Sequence, residues 1–385
     1  VFIANPPVIT LVTARYSDEP LTVAATGLKV TINCENCPPV DKSTVTFGGV
    51  EVLSYGEVSP WPNHYARWCE IPPGVTIGKF TLTVNGYSTT YDQEIEIPGG
   101  GEWRITSSIN EMIVNGAAFQ IGKDFYFGAG QQVVTGSANR SFYKFDCISE
   151  TWLRLVDYPI EESQNVFSFA IDGIGFVSGG SSSFFKSYTL FQYDTQTGQW
   201  SMKGEFPADL PHHVKRIGFS ANGKGYVINT QNGNLYEYDP VQDTWALKST
   251  IPGQMPINFK EDFVINGKEY IAFTRGASSE VEFWEYDVAA NAWTPKADFP
   301  GLLSAGAFSF VIEDIGYLGA ADHFWKYDAD TDEWLARLQP YPSTTSFGLP
   351  GFSYGKKGFA GLAAISNSGR PHYPSYNELY VFEAP

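Results

Sequence analysis

Five segments of this chain carry one signature. Two aromatic residues stand one position apart, an aspartate follows the second, and a tryptophan comes six residues after the aspartate. The segments are "FYKFDCISETW" ending at Trp152, "LFQYDTQTGQW" at Trp200, "LYEYDPVQDTW" at Trp245, "FWEYDVAANAW" at Trp293 and "FWKYDADTDEW" at Trp334. Side chains alternate along a strand, so aromatics at i and i+2 share one face. Asp suits the turn that follows, because its carboxylate accepts backbone N–H bonds there. Trp then restarts the chain as a second strand. The stretch "YDADTDEW" (327–334) has the look of a calcium loop, but it lacks that loop's glycine and its distant bidentate Glu. The other acids between Asp and Trp change from copy to copy, so strand, turn and strand are what recur.

A second hairpin precedes each of these. "AAFQIGKDFYFGAG" (117–130), "FSFAIDGIGFVSGG" (167–180), "IGFSANGKGYVINT" (217–230), "EDFVINGKEYIAFT" (261–274), "FSFVIEDIGYLGA" (308–320) and "PGFSYGKKGFAGL" (350–362) share one plan. An apolar strand meets a turn, in most copies of the Gly-Lys, Asp-Gly or Asn-Gly kind, and a strand with Tyr or Phe follows. Each unit therefore predicts four antiparallel strands. A lone sheet of this kind leaves a face bare, and radial stacking covers it while keeping the edges short. The expected fold class is all-β, with a six-bladed β-propeller over 99–385. The sixth copy, "NELYVFEAP", stops before its Trp. "GEWRITSS" supplies the missing strand, since Trp103 lies 49 residues before Trp152. Trp284 and Trp325 are expected in the core.

The aromatic-Asp…Trp spacing and the glycines of "GAG" (128–130) and "SGG" (178–180) resemble kelch repeats across 102–385. Residues 1–98 differ. "PPVITLV", "LKVTI", "STVTFGGVEV", "EIPPG" and "GKFTLTVNG" are short strands with turn signals between them, a sandwich pattern. "VTFGGVEV", "IPPG" and "FTLTVNG" resemble the TIG (IPT) immunoglobulin-like family. "NCENC" departs from that family, and "PGGGEW" (98–103) reads as a linker. The pair of domains resembles exported, Bacteroidetes-type surface proteins, often held at the outer membrane by a lipid. That resemblance implies an extracellular or outer-membrane location after removal of an export signal.

Charge narrows the partners. With 25 basic and 42 acidic residues the formal charge is −17, which repels phosphate backbones and excludes a nucleic-acid partner. It suits anionic membranes no better. No apolar run reaches the length of a membrane-spanning helix. Of four cysteines, Cys34 and Cys37 stand close while Cys69 and Cys147 stand apart. A local disulfide or free thiols both fit, whereas zinc wants a second close pair or histidines. No cofactor is implied.

No Gly-x-Ser-x-Gly elbow and no copper-oxidase or sialidase box marks a catalytic centre. The expected function is a non-catalytic surface binding or assembly subunit, recognising a glycan or a protein of an outer-membrane complex. Recognition belongs on the long, variable loops of a rigid scaffold: 131–140, 181–187, 275–280 and 364–377. Exposed aromatics beside Arg and His suit sugar or peptide faces. The candidates are Phe184, Phe185, Arg275, Arg370, His372, Tyr373 and Tyr376, with Arg140, Arg216 and Lys260 nearer the ends of the inner strands. The alternative is a carbohydrate-active enzyme such as a sialic-acid mutarotase, which resembles a six-bladed kelch ring with acid/base groups at its pore. Glu111, Glu280, Arg216 and Arg370 would then be recruited.

If the segment around Trp103 completes the sixth unit, deleting residues 99–107 exposes two strand edges. The expected outcome is self-association in sedimentation velocity and an early melting transition. A monomer with an unchanged melting curve would refute the closure.

Overall fold

The structure, a computed structural model, describes residues 6–14, 20–22, 24, 29–36, 43–52, 54–57, 64–72, 75–97, 101–132, 135–160, 166–178, 180, 188–207, 216–253, 255–276, 278–304, 306–320, 323–342, 350–362 and 378–384. Among these residues every regular element is a β-strand, and no helix is long and apolar enough to cross a membrane. The fold is all-β.

Between residues 8 and 90 two four-stranded antiparallel sheets form. One has the order Val8–Ala14, Lys29–Glu35, His64–Glu70, Ser54–Glu57. The other has the order Val50–Val52, Ser43–Phe47, Phe80–Val84, Tyr87–Thr90. They share one core, to which Val12, Val30 and Ile32 come from the first sheet and Val45, Phe47 and Leu82 from the second. Cys34 is disulfide-bonded, and its partner lies outside the described residues. Cys69 and Cys147 are free and buried.

Six further four-stranded antiparallel sheets follow, and none closes on itself. Five are consecutive in sequence, over 117–154, 168–205, 216–250, 257–295 and 308–337. The sixth takes Gly351–Tyr354, Lys357–Gly361 and Glu378–Glu383, and its outer strand is Glu102–Ser108. Trp103 stands opposite Phe382, with ring centroids 5.2 Å apart. That is the same pairing as Phe145/Trp152, Tyr193/Trp200, Tyr238/Trp245, Tyr286/Trp293 and Tyr327/Trp334. Strand Glu102–Ser108 begins beside the end of the chain, with Glu102 opposite Glu383, which is opposite Lys357. The chain thus enters the sixth sheet on the side of its tight turns.

Successive sheets interlock through one device. In each, a Phe of the inner strand is stacked on an aromatic of the second strand. The pairs are Phe119/Tyr126, Phe169/Phe176, Phe219/Tyr226, Phe263/Tyr270, Phe310/Tyr317 and Phe352/Phe359, with centroids 4.9 to 5.7 Å apart. Four of these Phe rings lie over a glycine of the next sheet: Phe119 over Gly175, Phe169 over Gly225, Phe263 over Gly316 and Phe310 over Gly358. A Cβ on any of those glycines would fall under 3.0 Å from ring atoms. The sixth sheet meets the first through Phe352 stacked on Phe125 at 3.7 Å. Gln120 and Ser353 exchange hydrogen bonds across the same seam. Contacts therefore run in a circuit from the first sheet to the sixth and back.

The recurring aspartates cap their turns. Asp146 accepts from the backbone N–H groups of Ile148 and Ser149, Asp194 from Gln196 and Thr197, Asp239 from Val241 and Gln242, Asp287 from Ala290, and Asp328 from Asp330 and Thr331. Two expectations need correction. Trp284 and Trp325 are half-buried rather than core, because the fully buried aromatic slots of their strands go to Tyr286 and Tyr327. "YDADTDEW" is also more than a local turn. Asp332 stands at φ 57°, where its carboxylate accepts from the Tyr327 hydroxyl at 2.7 Å and from the Ala297 N–H of the fourth sheet at 3.0 Å. Asp243 does the same for Tyr238 and Gly204.

The closing strand is clamped by charge. Arg104 donates two hydrogen bonds to Glu150 at 2.6 and 2.8 Å, and Lys357 reaches the same carboxylate at 2.7 Å. The Arg104 bonds, opposed by burial and helped by Lys357, depress the Glu150 pKa from 4.5 to about 2. A depressed carboxyl stabilises the fold fully above its unfolded value, and the gain is lost as pH falls toward the folded value. Glu150→Gln should therefore cost about 1–3 kcal/mol at neutral pH. It should also flatten the fall in melting temperature between about pH 4.5 and 2. An unchanged acid limb would show that the clamp adds nothing. In the fifth turn, Asp332→Ala should cost about 1–2 kcal/mol by urea unfolding, and Asp330→Ala less than about 0.5 kcal/mol. Equal effects would refute the distinction.

Candidate functional site

The connections between strands fall on two rims. One rim holds the tight turns within each hairpin, capped as above. The other holds the connections from second to third strand and from each outer strand to the next inner strand. Of the candidate residues named from sequence, Arg140 and Arg275 belong to this second rim, and Arg216 and Lys260 lie in inner strands that start from it.

Their placements differ. Phe184, Phe185, Arg370, His372, Tyr373 and Tyr376 lie outside the described residues. Arg216 opens the inner strand Arg216–Ala221 of the third sheet. Arg140 donates from Nε to the Tyr158 carbonyl at 2.8 Å, and the Tyr158 N–H returns a bond to the Arg140 carbonyl. The Tyr158 hydroxyl then donates to the Ser178 carbonyl in the second sheet. Arg275 pairs with Glu282, donates to the Pro252 carbonyl at 2.6 Å and lies 4.8 Å over the Phe273 ring. Its side chain is only 14 % exposed. These two arginines brace the loops from behind. A guanidinium with several planar donors can tie carbonyls of separate segments together in this way.

Glu111 is a loop anchor too. Its carboxylate accepts from Asn139 Nδ2 at 2.7 Å, from Tyr143 Oη at 2.8 Å and from Ser141 Oγ at 3.0 Å. Burial pushes its pKa up, but these three bonds and the Arg154 charge outweigh burial and hold it below the ordinary value. It is an ionised acceptor. Glu280 is exposed on the loop of the fourth sheet.

Lys260 leads to a group the sequence reading missed. It lies in the inner strand Ile257–Ile265 of the fourth sheet, two residues from Asp262 and on the same face. Asp262 is half-buried and Glu269, on the next strand, is fully buried. Burial raises both carboxyls. Each also interacts with the other, and the Lys260 charge opposes the rise. The signal was present in the aligned hairpins. The position of Glu269 is Gly175, Gly225, Gly316 and Gly358 in four other copies. That of Asp262 is Ala118, Ser168, Gly218, Ser309 and Gly351. Small residues give way here to two acids.

No protein-family model and no curated protein matches the chain. Among solved structures it is similar to YjhT, at 13 % identity and TM-score 0.56 over 73 % of this chain and 100 % of that one. It is also similar to a protein of unknown function from Bacteroides thetaiotaomicron, at 11 % identity and TM-score 0.51 over 99 % of this chain and 98 % of that one. An auxiliary nutrient binding protein from the same organism aligns at 11 % identity and TM-score 0.46, over 99 % and 98 %. The first two likenesses extend to the all-β fold and no further, and the third is too slight to bear on the chain.

Proposed function

We propose that residues 99–385 form a six-bladed kelch-type β-propeller closed by the strand Glu102–Ser108. Residues 1–98 form a TIG-like immunoglobulin sandwich ahead of it. The circuit of six open sheets, the Trp103/Phe382 pairing and the separate core of residues 9–97 support this reading. The chain acts as a non-catalytic binding or assembly subunit at the cell surface, recognising a glycan or a protein of an outer-membrane complex.

The observation that carries the binding reading is the contrast between the two rims. The turn rim is short, repetitive and saturated with its own capping bonds. The loop rim carries connections that differ from blade to blade, braced from beneath by Arg140, Arg275 and Glu111. Variable loops on braced roots suit recognition. Glu111, ionised and held by three donors, does not suit the proton donor that the mutarotase-like alternative asks of it. Phe184, Phe185, Arg216, Arg370, His372, Tyr373 and Tyr376 are the proposed contact residues.

The test compares the rims. Arg370→Ala and Tyr373→Ala should each weaken binding to a glycan array or to the native membrane complex by about 1–3 kcal/mol, with melting temperature unchanged. Val241→Asp on the turn rim, where Val241 is 90 % exposed, should leave binding intact. Binding that survives both loop changes, or that maps to residues 1–98, would move recognition off the propeller loops.

A further inference from the structure

The seam between the third and fourth sheets breaks the rule the other seams follow. Where most copies place glycine or another small residue, this seam holds Asp262, half-buried, and Glu269, fully buried. The face carrying Glu269 also bears Val264, Ile271 and Tyr286, which pack with Phe219 and Tyr226 of the third sheet. Neither carboxyl oxygen of Glu269 receives a hydrogen bond from the protein. Tyr226 gives its hydroxyl to Glu237 at 2.8 Å, and Tyr286 gives its own to Asn291 at 2.7 Å. Glu237 is itself paired with Lys248 at 3.3 Å. The charged groups that act on Glu269 are Asp262 and Lys260. Two carboxylates are acceptors only, and together they lack a donor. A proton retained on the pair supplies the missing donor. Lys260 balances the one negative charge that remains.

We propose that Asp262 and Glu269, on adjacent strands of the fourth sheet, share a proton on the face turned to the third sheet, and that its loss as pH rises loosens this seam alone. With the proton gone, two negative charges lie against one lysine in an apolar interface. That arrangement is costly because neither burial nor a partner compensates the second charge. The two groups titrate as a pair rather than as separate sites. The sign is that of a raised carboxyl. The pair favours the folded seam most below its unfolded values, and the advantage falls away as pH rises through the folded value.

Hydrogen exchange read by mass spectrometry, corrected for intrinsic rates, tests this between about pH 5 and 9. The wild-type chain should lose protection in 217–229 and 257–275 with rising pH, while 117–128 of the first sheet holds. Where the proton is released, the opening equilibrium should rise by up to about tenfold per pH unit. Glu269→Gln keeps the shape without the ionisation and should flatten the response. If that variant does not fold, Glu269→Gly restores the residue of four other sheets and should flatten it as well. Uniform protection at all pH values would overturn the proposal. So would a pH response that persists in both variants. If millimolar calcium or magnesium restores wild-type protection at high pH but not that of Glu269→Gln, the pair holds a cation, and the shared-proton reading fails.

Discussion

The spacing of the sheets after residue 102 depends on one contact made at four of the six seams, a phenylalanine ring laid on the bare backbone of the neighbouring sheet. Burying a Phe contributes about 2–3 kcal/mol, and the contact is repeated from sheet to sheet. The geometric role is as large as the energetic one. A ring can approach a second strand this closely only where no Cβ stands, as at Gly175, Gly225, Gly316 and Gly358. The glycines therefore set the distance between sheets, while the stacked Tyr or Phe behind each ring keeps it from rotating away. Each sheet leaves one apolar face unsatisfied until the next arrives. That makes the array cooperative in the way of repeat proteins.

The acidic character of the chain is absorbed locally in large part. Three of the five turn aspartates are used twice, once for the backbone and once for a lysine from the neighbouring hairpin. Lys224 meets Asp239 at 2.6 Å and Lys268 meets Asp287 at 3.5 Å, and Lys123 meets Asp146 in the same way. Pairs this exposed contribute little stability one by one. Their value lies in tying the two turns of one sheet together at its rim. The deeper charges do other work. Glu285, 10 % exposed, takes Lys268 and the Tyr270 hydroxyl, and Glu150 joins strands from opposite ends of the sequence.

Much of this was legible in the sequence because it is local chemistry. Period-two aromatics, Asn-Gly and Asp-Gly turns and the Asp-to-Trp spacing are properties of adjacent residues. The closing strand was legible as well, because a copy lacking its Trp and a Trp lacking its copy point to one another. What escaped the reading depends on pairs distant along the chain. Arg140 looked like an exposed cation until Tyr158 and Ser178 were seen behind it. Arg275 was hidden by Glu282 and Pro252 in the same way. Trp284 and Trp325 share the alternation of their buried neighbours Tyr286 and Tyr327, yet they stand one step along the strand where cover thins. Glu269 escaped because a single hairpin, read alone, gives no reason to expect glycine there.

Two seams of the circuit depart from the phenylalanine-on-glycine rule, and they depart in opposite senses. Between the sixth and first sheets Phe125 replaces the glycine, and Phe352 lies flat on it with an interplanar angle of 5°. The Gln120–Ser353 exchange and the Glu150 clamp reinforce that joint. Between the third and fourth sheets the substitute is a buried acid. Counted along the circuit of six sheets, these two seams lie three apart. The chain ends meet inside the sixth sheet, where Glu102–Ser108 is held to Glu378–Glu383 by hydrogen bonds and no covalent link before the chain runs on into the first sheet, and the apolar and ionic contacts of the sixth-to-first seam add to that hold.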